Sequence, residues 1–140
     1  MAVEQSQSKI VIPGIAGSTL TAKQYYILEL NNDGQWDLSD TDNGNEMLRG
    51  ILMTPSSASN PTNTITQGDP IEVCIFGVTK VACAGAIEEG VTITANASGL
   101  ADTGVTDGDF VLGCMIEPSG ASGDVARCFF NGIPNQLAIA

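Results

Sequence analysis

The sequence predicts an all-β protein, a small β-barrel or sandwich made from two duplicated β-units and preceded by an extended N-terminal arm. Three observations carry this reading. Short apolar or alternating runs are separated by Asn-Asp-Gly, Gly-Asp, Asn-Pro and Ser-Gly turns, the punctuation of strands and hairpins. Helical periodicity is nowhere sustained, because the best stretches, 45–53 and 81–89, are short and carry Gly50 and Gly85. The order of motifs in the first half of the chain also recurs in the second.

Taken in order, residues 1–22 hold one apolar run, Ile10-Val11-Ile12, followed by Pro13-Gly14 and Gly17-Ser18. Proline and glycine interrupt every turn a helix would need, so the segment is extended. An extended segment with an apolar centre lies against something, either its own domain or a neighbour. Ile10, Val11 and Ile12 are therefore candidate contact residues. From residue 23 to 140 the chain reads as a single β-domain, its clearest strands at 25–30, 71–76 and 91–95.

The duplication rests on three anchors in the same order. Tyr26 to Asn31 followed by Asp33-Gly34 matches Val91 to Asn96 followed by Ser98-Gly99. GILMTP at 50–55 matches GCMIEP at 113–118. Gly68-Asp69 leading to Gly77 matches Gly123-Asp124 leading to Gly132. The repeats span about 23–79 and 88–133, with a polar insertion at 56–67 in the first. Neither unit can bury an apolar face alone, so the two must close on each other.

Strand residues alternate sides, which assigns faces. Tyr26, Leu28 and Leu30 correspond to Val91, Ile93 and Ala95, and Ile71, Val73 and Ile75 to Ala126, Cys128 and Phe130. These sets are apolar and form the expected core. The opposite face is mixed: Ile27 and Glu29 with Thr92 and Thr94, then Glu72, Cys74 and Phe76 with Arg127, Phe129 and Asn131. Phe76 and Phe129 on that face are candidate interface residues. Trp36, just past the first hairpin glycine, is expected to pack under the 56–67 loop, with an interface role as the alternative.

Composition limits function. The hydrophobic share of 43% is enough for a core, while a net charge of −11 disfavours nucleic acid and anionic membranes as partners. The cations Lys9, Lys23, Arg49, Lys80 and Arg127 are scattered singly along the chain, with no basic patch in view. With no histidine there is no Ser-His or Cys-His nucleophile pair and no imidazole metal ligand. No secretory signal or membrane span is expected, so the chain reads as made in a cytoplasm. The cysteines Cys74, Cys83, Cys114 and Cys128 form no Cys-x-x-Cys pair and read as reduced packing residues, Cys128 and Cys114 in the core and Cys74 on the mixed face.

Chemical motifs are weak. The acidic stretches 40–46 and 102–109 miss the EF-hand spacing and read as solvated turns. Glu88 and Glu89 are adjacent and point apart, unlike the paired carboxylates of a glycosidase. The Gly-Asp dipeptides launch strands; none opens a helix that would cradle phosphate. The expectation is a non-enzyme without catalytic residues, metal or cofactor.

The residues also carry a resemblance. GILMTP with GDPIEVCIFG, and EEGVTITANASG with GCMIEP and GDVARCFFNG, on a small acidic all-β chain, resemble tailed-bacteriophage capsid decoration (cement) proteins over about 23–133. The resemblance implies a virion structural protein made in the host cytoplasm. It would bind the outer surface of the assembled head, bridge major capsid subunits and resist the pressure of packed DNA. It also implies a homo-oligomer, trimer before dimer, and an N-terminal arm that reaches capsid protein. The contrasting expectation is a secreted or cell-surface β-domain that binds carbohydrate or a receptor, with its site near 40–46.

Overall fold

The structure is a computed structural model that describes residues 8–39, 48–56, 64–103 and 110–136. The described residues contain strands and turns but no helix. The first half holds β1 (Lys9–Ile15), β2 (Ile27–Leu30), β3 (Trp36–Leu38) and β4 (Arg49–Leu52). A long strand, β5 (Pro70–Ala82), leads into β6 (Thr92–Ala95), β7 (Ala101–Asp102), β8 (Phe110–Met115) and β9 (Val125–Gln136). They form one antiparallel sheet ordered β3-β2-β4-β5-β9-β8-β6-β7, with β1 added on β5. The sheet curls as a half-barrel, so the predicted all-β class is what the chain adopts.

The N-terminal segment lies on its own domain. β1 pairs with β5 from Lys9 opposite Gly77 to Ile15 opposite Pro70. Past the strand, Ala16 and Leu20 are fully buried. The Ala16 N–H donates to the Asp69 carbonyl at 2.9 Å and the Leu20 N–H to the Ile65 carbonyl at 3.0 Å. These residues belong to the core, and only the outward side chains of β1 are left for other contacts.

Residues aligned by sequence make matching pairings. Ile27 faces Ile51 as Thr92 faces Cys114, and Leu28 faces Gly50 as Ile93 faces Gly113. Leu52 faces Val73 as Met115 faces Cys128. At each hairpin an asparagine side chain accepts two backbone N–H groups, Asn31 from Asp33 and Gln35, Asn96 from Ser98 and Leu100. The correspondence starts earlier than the sequence motifs do. Ile15 faces Pro70 and Gly14 faces Ile71, just as Ala82 faces Val125 and Val81 faces Ala126. Thus β1 has the place in the first half that the C-terminal part of β5 has in the second. β5 serves both halves, ending one and starting the other.

The recurring glycines have a steric cause. A Cβ on Gly50 would collide with Val73 Cγ1, and one on Gly113, at φ +144°, with the Phe129 carbonyl oxygen. Both motifs begin with glycine because the neighbouring strand passes too close for any side chain.

Two apolar clusters make the core. One holds Ala16, Leu20, Leu28, Trp36, Leu52, Ile65, Ile71 and Val73. Seven of these eight have counterparts in the other, Cys83, Ile87, Ile93, Ala101, Met115, Ala126 and Cys128, while the place of Ile65 is taken by Ser119. That second cluster also takes in Ile27, Ile51 and Cys74, which point from the far face of the first half. The halves are therefore stacked front to back: the rear face of the first packs into the core of the second. Ile65, within the 56–67 insertion, closes the front of the first half over Trp36 and Leu20, so Trp36 is core under that segment, as expected. Gly14 leaves room for the indole, since a Cβ there would fall 2.5 Å from Trp36 Nε1.

Stacking corrects several face assignments. Ile27, Glu29 and Cys74 were expected on a mixed outer face, yet all three are buried, Ile27 and Cys74 because they pack into the core of the second half. Tyr26 and Leu30, expected in the core, are only half-buried, and so is Cys114. Buried Glu29 stands opposite Arg49, whose guanidinium lies 3.7 Å from it. Three of the four cysteines are buried, and all four are free thiols. Burial pushes the Cys74 and Cys83 thiols up and raises Cys128 to about 12.

Candidate partner-binding face

Among the described residues, no layer covers the rear of the second half at Thr92 and Phe129, while Thr94 on that side is buried. Thr92 and Phe129 occupy the places that Ile27 and Cys74 fill in the first half, and both are exposed. Front and rear of the stack thus differ, one closed by the loop around Ile65, the other ending on open side chains. An apolar face left without a covering layer must be capped or partnered to be hidden from water.

Apolar groups gather there. Phe76 and Phe129 meet edge to face, ring centroids 5.3 Å apart, while remaining 42% and 39% exposed. Ile10 stands opposite Phe76 across β1 and β5 and is 53% exposed. Val78 faces Phe129, and exposed Ile133 follows Asn131, the β9 partner of Phe76. An exposed aromatic pair of this kind is costly to leave in water and suited to anchoring a partner.

Of the residues predicted from sequence, three are brought together: Ile10, Phe76 and Phe129. Val11 lies past an irregularity in the β1–β5 ladder, opposite Cys74, and is 38% exposed. Ile12 turns the other way and packs against the front core, so it is not part of the face. The acidic loop at 40–46 lies outside the described residues. Val78 and Ile133 were missed, because single apolar residues in strands carry no signal of which face the stacked halves will leave bare.

The cations, expected to be scattered, are not. Lys9, Lys80 and Arg127 line one hollow of about 480 Å³ together with Ser8, Tyr25, Val78 and Thr79. Lys80 and Arg127 face each other across β5 and β9. Glu117 accepts from Arg127 twice, from Nε at 3.0 Å and from the backbone N–H at 3.1 Å. These bonds hold the Glu117 carboxyl below the usual carboxylate range. Among the described residues no group of three or more acidic, Cys or His side chains is placed to hold a metal ion.

No protein-family model and no curated protein sequence matches the chain. Among solved structures, the fold is similar to the N base of the head fiber (gp8.5) of bacteriophage phi29. The match has a TM-score of 0.55 and covers 91% of this chain and 98% of that one at 13% identity. At that identity the likeness is one of fold.

Proposed function

We propose that the chain is a virion structural protein, a capsid decoration or cement protein built from two copies of one β-unit. It binds the outer surface of an assembled phage head and stabilises contacts between major capsid subunits. The observation that carries the reading is the uncovered rear of the stack, where Phe76, Phe129 and Ile10 form an apolar anchor. The fold shared with a phage head-fiber base supports it, because that fold is then already known on a phage head. Repetition on a lattice supports it too: one small apolar anchor per copy is sufficient when many copies bind at once.

In this reading the major capsid protein is the partner, the chain performs no catalysis, and copies associate as a homo-oligomer, trimer before dimer. Mixing purified protein with undecorated heads and imaging them tests the role. Decorated heads are expected, with occupancy falling sharply for F76S/F129S, which leaves the core intact. Bare heads with the wild-type protein would defeat the proposal. Solution mass by light scattering checks the oligomer.

A further inference from the structure

We propose that the hollow beside the aromatic pair is an anion site that takes carboxylate side chains from an acidic segment of the partner protein. The chain has 16 acidic residues and five cations, yet three of those five line this one cavity. Arg49 is buried against Glu29, and Lys23 lies over the Tyr26 ring at 4.7 Å, so neither competes for the role.

The arrangement is electrostatically costly as it stands. Like charges directly opposite on paired strands destabilise a sheet, and Lys80 and Arg127 are such a pair. Glu117 pairs directly with Arg127 and acts on Lys80 only through space, without an ion pair to it. Lys80 sits 5.9 Å from the Tyr25 ring, Lys9 reaches only the Met53 sulfur at 4.0 Å, and neither has a carboxylate partner among the described residues. Two ammonium groups without an ion-pair partner among the described residues line the hollow beside apolar walls from Val78 and Tyr25, where an incoming anion is attracted more strongly than on open surface.

Carboxylate fits better than phosphate. Phosphate sites characteristically offer a row of free backbone N–H groups at a turn or helix start. Here the walls are strands, and the Val78 N–H is already given to the Ser8 carbonyl at 2.8 Å. What remains are flexible lysine point charges, suited to side-chain carboxylates on a chain passing over the face. Because Val78 faces Phe129, the hollow and the aromatic anchor are continuous. The segment that fits has acidic residues next to apolar ones. That the segment belongs to a capsid subunit rests on the function proposed above; the anion site does not.

Titrating the ¹⁵N-labelled protein with a hexaglutamate peptide tests the site directly. Amide shifts are expected at Lys9, Val78, Thr79, Lys80 and Arg127, saturating at low salt and weakening at least about tenfold near 0.5 M NaCl, as screened pairs do. K9E/K80E, which keeps the Arg127–Glu117 pair, should abolish them without lowering the thermal unfolding midpoint, since the Lys80–Arg127 repulsion is relieved. Shifts spread over the whole surface, or retained in K9E/K80E, would overturn the proposal. Tighter saturation by inorganic phosphate would overturn the choice of carboxylate. On heads, wild-type binding that K9E/K80E leaves intact sinks the site's role in docking. Absent wild-type binding with a positive peptide titration sinks the decoration reading instead and upholds the anion site.

Discussion

Leu20 gives the sharpest test of how the N-terminal segment is used. Its side chain is fully buried among Ala16, Leu28, Trp36 and Ile65, in the cluster that closes the front of the stack. L20A deletes three carbons from a site walled by an indole and by strand residues that cannot collapse inward, so a loss of about 3 kcal/mol is expected. Unfolding entropy near 2.1 cal/mol/K per residue, over 140 residues, gives roughly 0.3 kcal/mol/K. The unfolding midpoint should therefore fall by about 10 °C, read by calorimetry or by the near-ultraviolet signal of Trp36. I10S on the same segment removes an outward side chain and should shift the midpoint by less than about 2 °C. Deleting residues 1–22 removes β1, Ala16 and Leu20 together and should leave no cooperative transition. A truncated protein that melts like the full chain, or L20A within 2 °C of it, would show that the segment is a dispensable arm and that the packing argument is wrong.

Other outcomes follow from the same structure. R49A should destabilise by about 3–5 kcal/mol in urea, because it leaves buried Glu29 without its counter-charge, whereas the double variant R49M/E29L should recover most of that loss. G132A should be more damaging than G34A. A Cβ at Gly132 meets the backbone oxygens of Arg49 and Ile75, while one at Gly34 meets nothing, its cost being only the left-handed backbone; chemical denaturation ranks the two. Stability should fall at high pH. Cys128 is raised from 9.0 to about 12 by burial, so its contribution is complete below pH 9 and is lost as pH rises toward 12. C128V should flatten the pH profile above 9, and an unchanged profile would refute the assignment.

How much of this was legible in the sequence differs from residue to residue. The hairpins were, because Asn31 and Asn96 bond their own turns and glycine follows at fixed distance, all within five residues. Aligning the two GxxxxP motifs implied that β2 meets β4 as β6 meets β8, but not the register itself, which the pairing partners show. The extension of the correspondence to β1 was not legible. KIVIPGI and the end of β5 share no residue pattern, and only their pairing partners reveal that they have the same place.

Strand positions, turn chemistry and the inward residues Leu28, Val73, Ile93 and Cys128 were determined by the sequence itself, because alternation and turn preference act over a few bonds. Only the tertiary structure decided what lay on the outer faces. Stacking buried Ile27 and Cys74 while leaving their counterparts Thr92 and Phe129 bare, although local pattern treats the two sets alike. It also carried Lys9, Lys80 and Arg127 to one hollow through the β1–β5 and β5–β9 pairings. Which surface is covered depends on contacts between distant segments, and no short-range signal records them.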